Sequence, residues 1–245
     1  MDLTSLEGTE TPADIAALCS KAVRPDPGDE AVPSVAAVCV FPRSVPVAVA
    51  ELAGTGVLVA SVAGGFPTCS GSLEERIRQI AQVVEAGADE VDIVLNRSLF
   101  LAGRHQEGLQ ELTAARAVTG TRHLKVILET GELGSYDLVQ QASELAMAAG
   151  ADFIKTSTGK IGTGATLPAA ARMMEAIRDH HRQTGRRVGI KVAGGIRTAE
   201  QAFGYQVLVR QTLGDGWLTP SLFRIGASSL LNDVLIQLGR VRTGR

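Results

Sequence analysis

The sequence predicts an α/β protein built as one closed (β/α)8 barrel, with residues 1–245 forming a single domain. Three observations carry this reading. A chain of 245 residues suits eight strand-helix units, which take about 250 residues. Short apolar, β-branched runs alternate with amphipathic helical stretches, the pattern of a parallel sheet with right-handed crossovers. Seven such runs are evident, and residues 2–6 supply an eighth, which favours a closed barrel over an open sheet. An open doubly wound sheet would be favoured by G-x-G-x-x-G after the first strand, and the chain has none.

Taken in order, the predicted strands span residues 2–6, 35–41, 57–62, 90–95, 124–128, 152–156, 188–192 and 222–225. Between the first two, Pro25, Pro27 and Pro33 shape a loop rather than a domain boundary. The clearest helix starts at Ser72, which forms a capping box with Glu75, places Leu73, Ile77, Ile80, Ala81 and Val84 on one face, and stops at Gly87. A second helix starts at Ser135, turning Leu138, Val139, Ala142, Leu145 and Ala146 to one side before Gly150. A third starts at Thr198, with Gln201 in capping-box position. The tetrapeptide Ala-Gly-Ala-Asp occurs at 86–89 and again at 149–152. Each copy reads as a helix stop feeding a strand, and three residues after each aspartate comes an ionisable side chain, Asp92 or Lys155.

Composition narrows the function. Hydrophobic residues make up 45% and charged residues 20%, enough to bury a core. A net charge of -2 with 4% aromatics offers neither a phosphate-tracking surface nor a stacking platform, so nucleic acid is not an expected partner. Cys19, Cys39 and Cys69 are odd in number and widely spaced, which fits reduced core thiols and a cytoplasmic location. MDLTSLEGTE at the start does not read as an export signal, and no window reaches eighteen uninterrupted apolar residues, so no membrane association is expected.

Chemistry concentrates at strand ends. FIKTSTGK at 153–160 hints at a phosphate-binding P-loop, but that motif needs a glycine where Ile154 stands and Ser or Thr where Ile161 stands. Strand alternation gives a different answer. If Val91, Ile93, Ile154, Ile190 and Val192 face the helices, then Asp92, Phe153, Lys155 and Lys191 face the lumen. Three charged groups would then meet near the C-terminal strand ends, where barrel enzymes hold their active sites. Two neighbouring buried lysines should each lower the other's pKa, and loss of solvent should lower both further. A lysine at its ordinary pKa of roughly 10.4 is about 0.04% neutral at pH 7; one tuned to about 7.5 is roughly a quarter neutral. A neutral amine attacks an aldehyde or ketone to give an imine, an electron sink for carbon-carbon bond chemistry, and Asp92 is placed to relay protons. Lys125 and Glu129, alternating with Ile127, read either as support for this group or as an exposed edge pair.

Ala193-Gly194-Gly195 follows the seventh strand and Gly226-Ala227-Ser228-Ser229 the eighth. These loops form the recurrent phosphate site of such barrels, because bare backbone N–H groups and a helix N-terminus converge there. Lys160, beside Gly159, adds a point charge. Lys155 therefore reads as the reacting lysine and Lys160 as the binding one.

FIKTSTGK (153–160), GIKVAGGIRT (189–198), DEVDIV (89–94), VASVAGGFP (59–67), LKVILETGEL (124–133) and FRIGASSLL (223–231) closely resemble the deoxyribose-phosphate aldolase family, over residues 2–231. The resemblance implies a TIM barrel and a reversible cleavage of 2-deoxyribose 5-phosphate to acetaldehyde and glyceraldehyde 3-phosphate, without metal or cofactor. It implies that Lys155 is the Schiff-base lysine, Lys191 the lysine that lowers its pKa, and Asp92 the aspartate of the proton relay. Thr158, Gly159, Lys160, Gly194, Gly195, Gly226, Ser228 and Ser229 fall on the phosphate-binding segments, and Asp2 on an aspartate near the substrate at the end of the first strand. The expected partners are phosphosugar and aldehyde substrates, with room for a homodimer. Some members end in a tyrosine that assists proton transfer; here none follows Tyr205 and the chain ends at Arg245. A different imine-forming aldolase, a transaldolase-like lyase and a phosphosugar-binding sensor are the competing readings.

Overall fold

The computed structural model describes residues 1–243, which form a closed eight-stranded parallel barrel in the order β1 to β8, with β8 pairing back to β1. The elements run β1 (Asp2–Thr4), α1 (Pro12–Val23), β2 (Ala37–Val40), α2 (Val45–Leu52), β3 (Leu58–Val62), α3 (Leu73–Glu85), β4 (Glu90–Val94), α4 (Arg97–Leu101), α5 (His105–Thr119), β5 (His123–Ile127), α6 (Tyr136–Ala148), β6 (Phe153–Lys155), α7 (Leu167–Thr184), β7 (Gly189–Ala193), α8 (Ala199–Leu213), β8 (Phe223–Ala227) and α9 (Leu230–Thr243). All eight predicted strands are present, most of them shorter than the apolar runs that mark them.

Local sequence explains the boundaries. Ser72 and Thr198 accept from the backbone N–H three residues on, while Glu75 and Gln201 reach back to the capping residue, completing both predicted capping boxes. Ser135 caps α6 by accepting from Leu138 N–H. The buried stripe of α3 differs from the expected one: Arg76, Ile80 and Val83 are buried, and Leu73 is exposed. The Arg76 guanidinium turns inward because Glu111 of α5 takes it at 2.7 and 3.0 Å. The repeated tetrapeptide is structurally equivalent in its two copies. Ala88 N–H bonds Val83 C=O as Ala151 N–H bonds Ala146 C=O. One carboxylate oxygen of each aspartate then accepts from the preceding strand, Asp89 from Val59 N–H at 2.9 Å and Asp152 from Leu124 N–H at 2.8 Å.

Side chains divide by strand period. Leu3, Val38, Val59, Val91, Ile93, Val126, Ile154, Ile190 and Val192 belong to the main core between strands and helices. The lumen itself is split. On the β1 to β3 side Leu6, Cys39, Ala60 and Val62 pack with Phe41 and Phe66 into a separate apolar cluster. The remaining wall is charged, carrying Glu90, Asp92, Lys125, Lys155, Lys191 and Arg224, all buried.

Candidate active site

Asp92 organises the charged wall. Its Oδ2 accepts from Lys155 Nζ at 2.8 Å and from Lys191 Nζ at 2.8 Å, while its Oδ1 accepts from Lys125 Nζ at 2.9 Å. Because one oxygen serves both lysines, their two nitrogens are held side by side rather than on opposite walls. The registers produce this directly: β4 pairs Asp92 with Lys125, and β7 pairs Lys191 with Lys155.

The four groups do not share one protonation behaviour. Burial pushes the Lys155 amine down; the Asp92 carboxylate holds back part of that shift and Lys191 adds to it, leaving the amine below the ordinary lysine value. Lys191 goes the other way, which corrects the expectation that both lysines are lowered. Burial again acts downward, but the carboxylates of Asp2 and Asp92 outweigh it and hold Lys191 well above the ordinary value. Burial acts to raise Asp92, and Lys125, Lys155 and Lys191 together keep it well below the usual carboxylate range.

Asp2 also departs from expectation. It is the first residue of β1, not the last, and it does not line the cavity at the barrel mouth. Its carboxylate is fully buried one layer below, 2.6 Å from Lys191 Nζ and 2.6 Å from Arg224 Nη1. The reason is register: Asp2 lies beside Gly226 of β8, whose bare α-carbon leaves room for the Lys191 stem.

Above this layer opens a cavity of about 270 Å³ at the C-terminal strand ends. Lys155 and Lys191 form its floor, and Thr158, Gly159, Lys160, Gly194, Gly195, Gly226, Ser228 and Ser229 line it, so every expected phosphate-segment residue faces this one space. Gly194 adopts φ +91°, and a Cβ there would meet Gly164 Cα at 2.9 Å, so a side chain is excluded twice over. Lys160 Nζ donates to the Leu6 carbonyl, drawing its charge across the mouth.

Some contributors were not singled out from sequence. Thr4, Leu6 and Arg197 line the cavity. Thr156 bridges β6 and β7, its hydroxyl donating to Ala193 C=O and accepting from Ala193 N–H. Lys125 and Glu129 are both buried, so they are not an exposed edge pair. Glu129, at φ +56°, accepts from Thr158 N–H at 3.2 Å and Thr158 Oγ1 at 2.5 Å, fixing the loop that presents Gly159 and Lys160. Glu90 and Arg224 sit two residues before Asp92 and Gly226, on the same strand faces; that spacing of two was the available signal.

The DeoC/LacD family aldolase model matches residues 1–235. The chain belongs to that aldolase family. It is 48% identical to the mouse deoxyribose-phosphate aldolase over all of this chain and 80% of that protein. A crystal structure from Coccidioides immitis, named provisionally as the same enzyme, superposes with a TM-score of 0.79 at 32% identity, over 96% of this chain and 83% of its own. The tetrameric deoxyribose phosphate aldolase from Aeropyrum pernix gives 0.73 at 26% identity, over 98% and 89%. These solved structures share the barrel fold described above. Among the described residues no helix is long and apolar enough to cross a membrane.

Proposed function

We propose that this aldolase reversibly cleaves 2-deoxy-D-ribose 5-phosphate to acetaldehyde and glyceraldehyde 3-phosphate through a Schiff base on Lys155, in the catabolism of deoxyribose phosphates. The observation that carries the reading is the single Asp92 oxygen shared by two amines whose proton affinities are pushed apart, Lys155 down and Lys191 up. Neutral Lys155 attacks the sugar aldehyde, and water leaves to give the iminium. A base takes the proton of the hydroxyl on C3, the C2–C3 bond breaks to release glyceraldehyde 3-phosphate, and its electron pair flows into the iminium to form an enamine. Protonation of the enamine carbon and hydrolysis release acetaldehyde and restore the amine. In this scheme Asp92 and cationic Lys191 relay protons at the nitrogen and the adjacent carbon. Lys160, Thr158, Gly159, Gly194, Gly195, Gly226, Ser228 and Ser229 hold the phosphate by charge, backbone N–H groups and hydroxyls. Asp2 serves Lys191 rather than the substrate. The three unpaired thiols support a cytoplasmic setting, and a homodimer is retained as the working assembly.

The deciding experiment incubates the protein with acetaldehyde and borohydride and reads the product by peptide mass spectrometry. One ethyl adduct on Lys155 is expected, with none on Lys155→Ala. An adduct at another lysine, or persistence in Lys155→Ala, rules the scheme out.

A further inference from the structure

The ion pairs beneath the cavity close on themselves. Lys191 meets Asp92 Oδ2 at 2.8 Å, and Asp92 Oδ1 meets Lys125 at 2.9 Å. Lys125 meets Glu90 Oε2 at 2.5 Å, and Glu90 Oε1 meets Arg224 Nη2 at 3.0 Å. Arg224 Nη1 meets Asp2 Oδ1 at 2.6 Å, and Asp2 Oδ2 returns to Lys191 at 2.6 Å. Cation and anion alternate without a break, and Arg224 also reaches the second Glu90 oxygen, Oε2, at 3.3 Å. All six side chains are at least 98% buried. Three positive and three negative groups leave the ring with no net charge, and Lys155 hangs outside it on Asp92 Oδ2 at 2.8 Å.

We propose that Lys125, Glu90 and Arg224 are positioning residues for the aldol reaction, because the neutral six-member ring they complete leaves Lys155 as a surplus cation above the ring and so the amine that gives up its proton. The inference rests on Lys155 as the imine-forming residue and goes beyond the action of Lys191 alone. A buried charge is tolerated when paired and costly when not. Every ring carboxylate already holds two cations, so a protonated Lys155 has only a share of Asp92. The groups facing Lys155 are Asp92 from β4, Lys191 from β7 and the Cys39 thiol from β2, with Lys125 reached through Asp92, Asp2 and Arg224 reached through Lys191, and Glu7, Lys160 and Arg197 at the mouth. Glu90 reaches the outside through the half-exposed His123, whose Nδ1 lies 3.0 Å from Oε1. Lys125 also sets direction, since by taking Oδ1 it turns Oδ2 toward both other lysines.

The test follows borohydride trapping of acetaldehyde against pH in wild type, Lys125→Met, Glu90→Gln and the double variant, with circular dichroism to certify folding. Lys125→Met leaves the ring with a surplus negative charge. Its midpoint should move up by about one pH unit or more, a loss of trapping of about fivefold or more at the wild-type midpoint. Glu90→Gln leaves a surplus positive charge and should move the midpoint down by a similar amount. The double variant, neutral again, should return toward wild type. Lys125→Arg should stay near it. A purely structural Lys125 predicts no opposite shift at Glu90 and no recovery in the double variant. Unmoved midpoints, shifts of the same sign, an unrestored double variant, or failure of both single variants to fold overturn the proposal; if only one folds, the sign of its shift decides. No trapping in wild type would instead refute the function proposed above, so the two failures are distinguishable.

Discussion

Single residues at this floor are fixed by what stands beside them. Gly226 has ordinary backbone angles, yet a Cβ there would lie 2.9 Å from Lys191 Cε and 3.1 Å from Ala193 Cβ. Gly226→Ala should therefore fold with a modest penalty of about 1–3 kcal/mol while pushing the Lys191 stem off Asp92. We expect kcat/KM for 2-deoxyribose 5-phosphate to fall about 100-fold, the scale associated with misplacing a catalytic group by about 1 Å. Steady-state kinetics beside a melting curve checks both parts. Lys155, Lys191 and Asp92 were legible in the sequence because branched neighbours reveal which way a strand side chain points. The opposite proton affinities of the two lysines were not, since they depend on Asp2, which lies 189 positions before Lys191 in the chain and meets it only through the closure of β1 on β8.

At the scale of elements, the repeated helix stop ties each strand to its predecessor. The Asp152 carboxylate accepts from Leu124 N–H and from Arg116 at 2.6 Å, with Arg186 at 3.6 Å. Asp89 accepts from Val59 N–H and has a single arginine, Arg122, at 3.6 Å. Removing an acceptor from a shielded backbone donor and its charged partners costs about 1–3 kcal/mol. Asp152→Ala should fall near the top of that range and Asp89→Ala near the bottom, as measured by urea unfolding; equal losses would mean that the arginines contribute nothing. Strands and capped helices were readable from period and punctuation. The inward turn of Arg76 was not, because Glu111 on α5, and not the apolar stripe of α3, decides which face is buried.

For the whole molecule, the ring couples stability to acidity. Burial acts to raise Asp2, Glu90 and Asp92, but their cations hold all three below the ordinary carboxylate range. Groups with depressed folded values add stability that is complete above the unfolded pKa, about 4, and is lost as pH falls through the folded values. Lys191, raised, contributes undiminished throughout that window. The contribution of these carboxylates to melting temperature should thus be level from about pH 7 to 5 and decline below about 4. Arg224→Gln, which strands two carboxylates, should cost about 3–5 kcal/mol near neutrality, and its deficit should shrink on acidification, as paired melts across pH would reveal; a constant deficit would deny the ring its electrostatic role. The barrel count and the cavity's position were legible from alternation and glycine placement, whereas the closed circuit needs strands one, four, five, seven and eight in register at once. Because its last links join Asp2 on the first strand to Arg224 on the eighth, an incompletely assembled sheet lacks the circuit altogether. The reactivity proposed for Lys155 would thereby be an emergent property of the finished cylinder, withheld from every partly formed chain.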